Sequence, residues 1–423
     1  MTGVYRIPAL YATFRAPLTN CTPVGAYRGA GRPDVAYVVE RLVNQAAMEL
    51  NIDAAELRRK NFIPPEAFPY KTPTGSTYEI ADLPGLLKKA LKLGDWDGFA
   101  ARRAKSADAG KLRGIGISTV IENTGAGNAD KDEIELRMGA SGVIELHTVS
   151  KAQGHGHETT LAAIVGDALG VPHTQVKVVQ CAPGILLQGN HTGGSRTAVG
   201  AGGVSFLAAQ KLIEEGKALA ALELKLEPSQ ISYAKGEFSS GQSPRTVKLS
   251  ELAKAKTLSV VAEGKFGSTY PNGCHIAEVE VDAETGAAEI VSYCAVDDCG
   301  AVINHAIVEG QLHGGVVQGA GQVFGEHIVY DPESGQPLAA SFMDYYMPRA
   351  GLLRELRGEE HPTPSKISLL GVKGVGESGC TASLPVLVAA TIDALRPLGI
   401  KHLDMPLTPS KLWHAMQAAK ARN

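Results

Sequence analysis

The sequence predicts an α+β fold of two lobes, each mixing sheet and helix. Two hairpins carry that prediction. Ile134–Met138 and Val143–Thr148 flank Gly139–Gly142, and His275–Val281 and Ala287–Val296 flank Asp282–Gly286. A third observation is that glycine-rich turns after these hairpins open runs of helical spacing, at Thr160–Leu169, up to Leu224, and at Ile307–Val323. On this reading residues 1–63 are the end of one domain, 64–112 a connector, and 113–423 a second domain whose lobes are roughly 113–270 and 271–423.

At 423 residues the chain has the length of two or three domains, and 44% hydrophobic residues suffice for a core of normal size. A net charge of -3 argues against nucleic acid or an anionic membrane surface as a partner. The N-terminal residues lack the charged and apolar regions of a signal peptide, and no run of about 18 apolar residues marks a membrane span. Six cysteines (Cys21, Cys181, Cys274, Cys294, Cys299, Cys380) form no Cys-x-x-Cys pair. Their scatter argues against a zinc or iron–sulfur site and against a disulfide framework, so a reduced, cytoplasmic setting is expected. Few aromatic residues, 5%, beside 48 glycines suggest backbone that approaches ligands or other backbone closely.

Tyr5–Phe14 reads as an extended segment with no cap or turn before it, like the interior of a domain. Pro23–Asp34 is a glycine-rich turn, after which Ala36, Val39, Leu42, Val43, Ala46, Ala47 and Leu50 recur at helical spacing. Asp53, with Glu56 three residues on, caps a short second helix to Asn61. Prolines 64, 65, 69 and 73 punctuate the connector, which closes on a charged, helical stretch, Lys88–Lys111. Gly114–Ile121 and Gln175–Gln180 read as strands, and 225–270 as a polar, irregular peripheral insertion. Asn304 is placed to cap the helix at Ile307–Val323. The apolar run Ser383–Leu395 predicts a buried helix with Pro385 in its first turn.

Four glycine-rich segments draw attention for chemistry. Gln153–Thr159 feeds a helix N-terminus, a ready anion site. Its His155 and His157 suggest metal, but a histidine pair on a loop needs further ligands before it can hold one. In Gly189–Gly200, Gly193 and Gly194 free backbone amides while Ser195 and Thr197 add hydroxyls, which suits a pyrophosphate or a pterin; a structural helix entry explains the run equally well. Gly310–Gly319 places glycines inside a helix, where each costs about 1 kcal/mol, so close packing against a ligand or a second helix must compensate. In Gly371–Gly379 a single carboxylate, Glu377, stands between a tight loop and a buried helix. A poorly solvated carboxylate there suits a general base, and a helix cap is the plainer alternative.

Taken together, these segments resemble the molybdenum hydroxylases, the family of xanthine dehydrogenase, aldehyde oxidase and carbon monoxide dehydrogenase. Five separated motifs stand in the family's order, from Tyr5 through the 371–379 loop and its helix. The resemblance implies two lobes facing a molybdenum–molybdopterin cofactor, preceded by the truncated end of an upstream molybdopterin-binding domain. It assigns cofactor contact to Gln153, Gly154, His155, Gly156, Thr159, Gly193, Gly194, Ser195, Arg196, Thr197, Gln311, Lys373, Gly374, Val375 and Gly376, and the role of catalytic base to Glu377. His155 replaces the family's commoner glutamine. Tyr27, Arg28, Gly29 and Ala30 match the substrate-side loop, although on their own Arg28 and Arg32 would read as surface cations. Gly29 stands where carbon monoxide dehydrogenases carry a copper-bridging cysteine, and Ala30 where purine-oxidising members carry phenylalanine, so neither substrate is supported.

The implied activity is hydroxylation of an aldehyde or N-heteroaromatic carbon with water as oxygen source. The pterin, which holds the molybdenum without a direct protein ligand, could be the cytosine dinucleotide form. Iron–sulfur clusters and FAD would sit only on partners: a subunit supplying the upstream half, a [2Fe-2S] subunit, and an FAD subunit or cytochrome. A small-molecule substrate completes the set. The alternative is a non-catalytic assembly subunit, or an inactive gene fragment, that keeps the fold.

Overall fold

The computed structural model describes all residues except Met1, Ala126, Asn128 and Asn423. Helix α1 (Arg32–Leu50) has Pro33 in its first turn, where its fixed φ is suited, and stops at Asn51 in the left-handed region. Helix α2 (Ala54–Asn61) is capped as expected, with Asp53 Oδ1 accepting from the amides of Ala55 and Glu56 at 2.9 Å each. The inward face of α1 is not the apolar one that its spacing suggests. Glu40, Asn44 and Ala47 are buried, while Val38, Leu42 and Leu50 are exposed. Arg58, buried completely, explains the inversion: it donates to Glu40 Oε2 at 2.7 and 3.0 Å, to Asn44 Oδ1 at 2.8 Å and to the Ile117 carbonyl at 2.9 Å. Tyr5 Oη completes the network, donating to Glu40 Oε1 at 2.5 Å. A buried charge this well paired tolerates desolvation that an unpaired one could not.

Residues 64–112 form a structural layer and not merely a connector. Strands β1 (Tyr70–Lys71) and β2 (Thr77–Tyr78) make a small hairpin, and helices α3 (Leu83–Leu93) and α4 (Phe99–Asp108) follow. The elements after them are β3 (Lys111–Ile121), β4 (Asp132–Met138), β5 (Ile144–Thr148), α5 (His157–Leu169), β6 (Val176–Gln180) and α6 (Gly200–Leu224). The expected 225–270 insertion is ordered as β7 (Ser232–Ala234), β8 (Glu237–Ser240), β9 (Ser243–Lys248), α7 (Leu249–Ala255) and β10 (Leu258–Gly264). Then come β11 (Asn272–Asp282), β12 (Ala288–Asp298), α8 (His305–Phe324), β13 (Leu356–Glu360), α9 (Ser378–Leu395) and α10 (Pro409–Lys420).

Two four-stranded mixed sheets organise these elements. In one the order is β10-β4-β5-β6, with α5 and α6 packed on it. The 225–270 segment is therefore no peripheral loop: β10 pairs with β4, and Leu258, Val260 and Ala262 alternate inward beside Phe238, Val247 and Leu252. Its alternation, with Ser259, Val261 and Glu263 facing outward, is an ordinary strand pattern set within a stretch of polar composition. The other sheet runs β13-β12-β11-β3, so β3 belongs with residues beyond 271 and the lobe boundary is not a simple cut in the chain. Alternate residues of β11 and β12 serve opposite faces. Cys274, Ile276 and Val296 meet α3, whereas Ala277, Val279, Tyr293 and Ala295 meet α8 and α9.

Helix α9 begins directly after Glu377, five residues before the expected start, and Pro385 lies in its interior. Every residue of it but Asp393 is buried. It is long and apolar enough to cross a membrane, contrary to the expectation that no such run exists, but 94% of its apolar window is buried in the protein interior. The early start has a tertiary cause. A Cβ on Gly379 would stand 2.4 Å from the Leu312 carbonyl, and one on Gly319 would stand 1.9 Å from Ser383 Oγ, so α8 and α9 cross at backbone distance. On its other side α9 lies on β3, where a Cβ on Gly114 or Gly116 would sit 2.1–2.2 Å from α9 carbonyls. Such contact outweighs glycine's poor helix propensity. Gly379→Ala tests the balance: propensity alone favours alanine by about 1 kcal/mol, but the steric clash is expected to lower stability by about 1–3 kcal/mol. A melting temperature at or above that of the parent chain would contradict this packing.

Candidate cofactor-binding and active site

A cavity of about 970 Å³ opens where the two sheets' loops meet. Its walls come from the turn before α1, the first turns of α5 and α8, the 191–198 loop and the 372–377 loop. Local sequence dictates each wall. Gly29, Ala30 and Gly31 are all left-handed, with φ of 101, 45 and 86°, a run that only small residues adopt cheaply. That coil turns Arg28 into the cavity. Its guanidinium donates to the Gly376 carbonyl at 2.6 Å, to the Gln311 carbonyl at 3.0 Å and to Gln311 Oε1 at 3.2 Å, tying three walls together.

The 371–379 loop is fixed from behind. Lys373 Nζ donates to Asp298 Oδ2 at 2.6 Å and to the Ile80 carbonyl at 3.2 Å, and neither ion of the pair is exposed at all. The resemblance gave Lys373 to the cofactor, but its ammonium turns away from the cavity and anchors the loop. At Gly374 a Cβ would lie 2.1 Å from the Ser195 carbonyl, so the two glycine loops touch backbone to backbone. Ser195 itself is left-handed at φ 53°, an arrangement held by these contacts.

Glu377 closes the wall. Far from lacking polar neighbours, it accepts from the Gly29 amide at 2.9 Å through Oε1, and from Ser195 Oγ at 2.8 Å and Arg32 Nη2 through Oε2. It also precedes α9 directly, but its side chain makes no cap hydrogen bond, which removes the plainer reading as a helix cap. Arg32, a surface cation on the sequence reading, is thereby part of the site, and its Nη1 donates to the Asn123 carbonyl at 2.6 Å. Deeper still lies Glu122, 1% exposed, which accepts from Thr381 Oγ1; burial raises its carboxyl to about 7.

His155 accepts from the Gln153 amide at 3.1 Å through Nδ1, which assigns the remaining proton of the neutral ring to Nε2. Burial, and next the charge of Arg28, lower its pKa, so the ring presents one N–H to the cavity at neutral pH. His157 stacks on it at 5.3 Å.

Of the residues expected at the cofactor, Gln153, Gly154, His155, Gly193, Gly194, Ser195, Arg196, Thr197, Gln311, Lys373, Gly374, Val375 and Gly376 line this one cavity, as do Tyr27, Arg28, Ala30 and Glu377. Gly156 stands just behind the wall, where a Cβ would meet Ile307 at 2.6 Å. Gly29 lies behind it too, contributing its amide. Thr159 is exposed, because α5 starts at His157 and the helical turn carries Thr160 inward in its place. His191, Thr192, Asn304, Ile307 and Gln318 also line the cavity; Asn304 was expected only as a helix cap, and the other four were given no place in the site. The one available signal was their proximity to glycine runs.

Buried atoms test whether an anionic pterin fits. Thr192 Oγ1, Thr197 Oγ1 and Arg196 Nε have no hydrogen-bond partner among the described residues. A buried donor left unmatched costs about 1–3 kcal/mol, and several on one glycine-lined wall match a phosphate-bearing, hydrogen-bonding ligand.

Comparison with known proteins agrees. Two models of the molybdopterin cofactor-binding domain match residues 1–62 and 89–353. The chain belongs to the molybdenum hydroxylase family. It is 32% identical to the carbon monoxide dehydrogenase large chain of Hydrogenophaga pseudoflava, over 98% of this chain and 55% of that protein. It is also 32% identical to the nicotine 6-hydroxylase large subunit of Paenarthrobacter nicotinovorans, over 98% of this chain and 53% of that one. Among solved structures, quinoline 2-oxidoreductase from Pseudomonas putida 86 superposes with a TM-score of 0.87 at 31% identity, covering 93% of this chain and 53% of that one. The chain thus spans about half the length of these relatives.

The anchoring role of Lys373 has a distinct signature. Lys373→Met leaves Asp298 buried without its counter-ion, a change that costs about 3–5 kcal/mol. A large drop in melting temperature is expected even before any cofactor is loaded. Unchanged stability with loss of bound pterin would instead make Lys373 a cofactor contact.

Proposed function

We propose that this chain supplies the molybdopterin-binding wall and the general base of a molybdenum hydroxylase acting on an aldehyde or N-heteroaromatic carbon. The observation that carries this is the meeting of four sequence-distant loops with Glu377 at one cavity. Bound there, the molybdenum–pterin group would supply two-electron oxidation with water as the source of oxygen. Thr192, Thr197, Arg196 and the Nε2–H of His155 would hold it, with the amides of the 193–195 and 374–376 loops. Arg28 holds the 374–376 loop at fixed spacing from Gln311 of α8. Glu377 takes up the proton released as the carbon is hydroxylated, while Ser195, Gly29 and Arg32 hold its carboxylate in place.

The N-heteroaromatic branch is favoured over carbon monoxide. The names of two relatives, nicotine 6-hydroxylase and quinoline 2-oxidoreductase, point to such substrates. A Cβ on Gly29 would stand 2.3 Å from the Pro33 ring, so this backbone has no room for a cysteine there.

Partners follow from exposed apolar surface. Tyr11, Phe14, Leu18 and Val24 stand 88–101% exposed in the segment ahead of α1, and Phe342 and Met343 are 86% and 93% exposed. The segment ahead of α1 also reaches Tyr330, whose Oη accepts from the Thr22 amide at 3.2 Å. We assign this surface to a polypeptide carrying the upstream half of the large subunit, with [2Fe-2S] and FAD subunits or a cytochrome taking the electrons onward.

Glu377→Gln keeps the shape of the side chain and removes its basicity. In the assembled complex turnover should fall by about 100- to 10,000-fold with molybdenum and pterin content unchanged. Loss of the pterin would make Glu377 structural, and full activity would remove it from the mechanism.

A further inference from the structure

We propose that Glu122 is a positioning residue of the Glu377 site: a buried carboxyl that competes with Glu377 for the Arg32 guanidinium and, by gaining or losing a proton, sets how firmly Arg32 holds the base. The inference rests on the general-base reading of Glu377.

The geometry forms a closed circuit. Glu122 directly follows the last residue of β3 and is 1% exposed. Its Oε1 accepts from Thr381 Oγ1, one helical turn beyond Glu377, and that same hydroxyl lies 3.3 Å from the Glu377 carbonyl. Its Oε2 is buried with no partner among the described residues. On the other side Arg32 bonds Glu377 Oε2 with one amino group and the carbonyl of Asn123, the neighbour of Glu122, with another, and its own Nε is buried and unmatched. Arg32, with a spare buried donor, bonds the residue next to Glu122 and acts by its charge on the Glu122 carboxyl, which has a spare buried acceptor. Among the described residues Glu122 closes no ion pair, and an apolar residue in its place would spare the cost of burying it.

The charged and titratable groups facing Glu122 are Arg32 from α1, Arg28 from the turn before it, Glu377 and Cys380 at the start of α9, and Asp297 from β12. Burial is the largest influence and raises the Glu122 carboxyl from its ordinary 4.5 to about 7, with Arg32 and the Thr381 hydroxyl opposing, and Glu377 and Asp297 adding to the rise. Glu122 consequently changes charge near neutral pH. Protonated, it leaves Arg32 to Glu377. Ionised, with its proton released to solvent, it draws on Arg32 and frees Glu377 to accept a proton from the reaction.

The sign for stability follows by linkage. The folded chain holds a proton on Glu122 that the unfolded chain gives up above about 4.5, so stability from this group is complete below that pH and is lost as pH rises to about 7. Glu122→Gln in the full chain should flatten the fall of melting temperature across that window, and Thr381→Val, which removes a hydrogen bond to the ionised form, should move the fall to higher pH. In the assembled holoenzyme, Glu122→Gln should remove an ionisation near pH 7 from the turnover profile and lower turnover by less than the ~100-fold expected for loss of the base itself. The same pH dependence of stability in Glu122→Gln as in the parent chain would overturn the proposal, as would an unaltered turnover profile. A fully active Glu377→Gln would defeat the general-base reading instead, leaving the stability titration of Glu122 intact.

Discussion

Helix α9 meets β3 on one side and α8 on the other at backbone distance, and the site exists because of that contact. Gly114 and Gly116 of β3, Gly315 and Gly319 of α8, and Gly379 of α9 all stand where a single methyl group would collide with a neighbouring backbone or side chain. Close-packed interiors do not deform smoothly, so the helix has one position. Its first residue follows Glu377, and the helix thereby fixes where the carboxylate emerges. The buried Lys373–Asp298 pair then holds the incoming loop on the opposite flank. Between these two constraints the 374–377 backbone can face the cavity with no regular structure of its own.

Electrostatics complete what packing begins. Two carboxylates, Glu122 and Glu377, and two arginines, Arg28 and Arg32, are gathered around the start of α9 with little access to water. Arg28 spends its donors on backbone and amide oxygens and acts as a brace. Arg32 alone bridges to a carboxylate. A site of this composition separates holding from chemistry: hydroxyls, glycine amides and a neutral His155 suit a bound anion, while the Glu377 carboxylate suits a proton.

Much of this was legible in the sequence where local chemistry decides. Asp53 and Asn304 cap helices as their types and spacing imply, and both hairpins fall where turn residues separate alternating runs. The glycine loops could be found because glycine density is itself a local signal. Where tertiary contact decides, the sequence misleads. The inward face of α1 carries Glu40 and Asn44 beside Ala47 because a buried arginine from α2 needs partners there, and the start of α9 lies among glycine and small residues because α8 leaves room for nothing larger. Strand β10 carries an alternating pattern at Leu258–Ala262 that the polar composition of residues 225–270 masked, and β3 joined the later lobe only through pairing with β11, about 160 residues away by its register. Arg32 and Glu122 gave no local sign of their place, since a lone charged residue beside a turn or at a strand end is most often solvated. Only their burial against each other's neighbours marks them.

The central claim is that the cavity on this chain holds a molybdenum–pterin group. The direct measurement is the molybdenum and releasable pterin content of a complex purified through this chain after co-expression with a polypeptide supplying the other half of the large subunit. One molybdenum and one pterin per copy of this chain are expected. A stable, stoichiometric complex that carries neither would contradict the account.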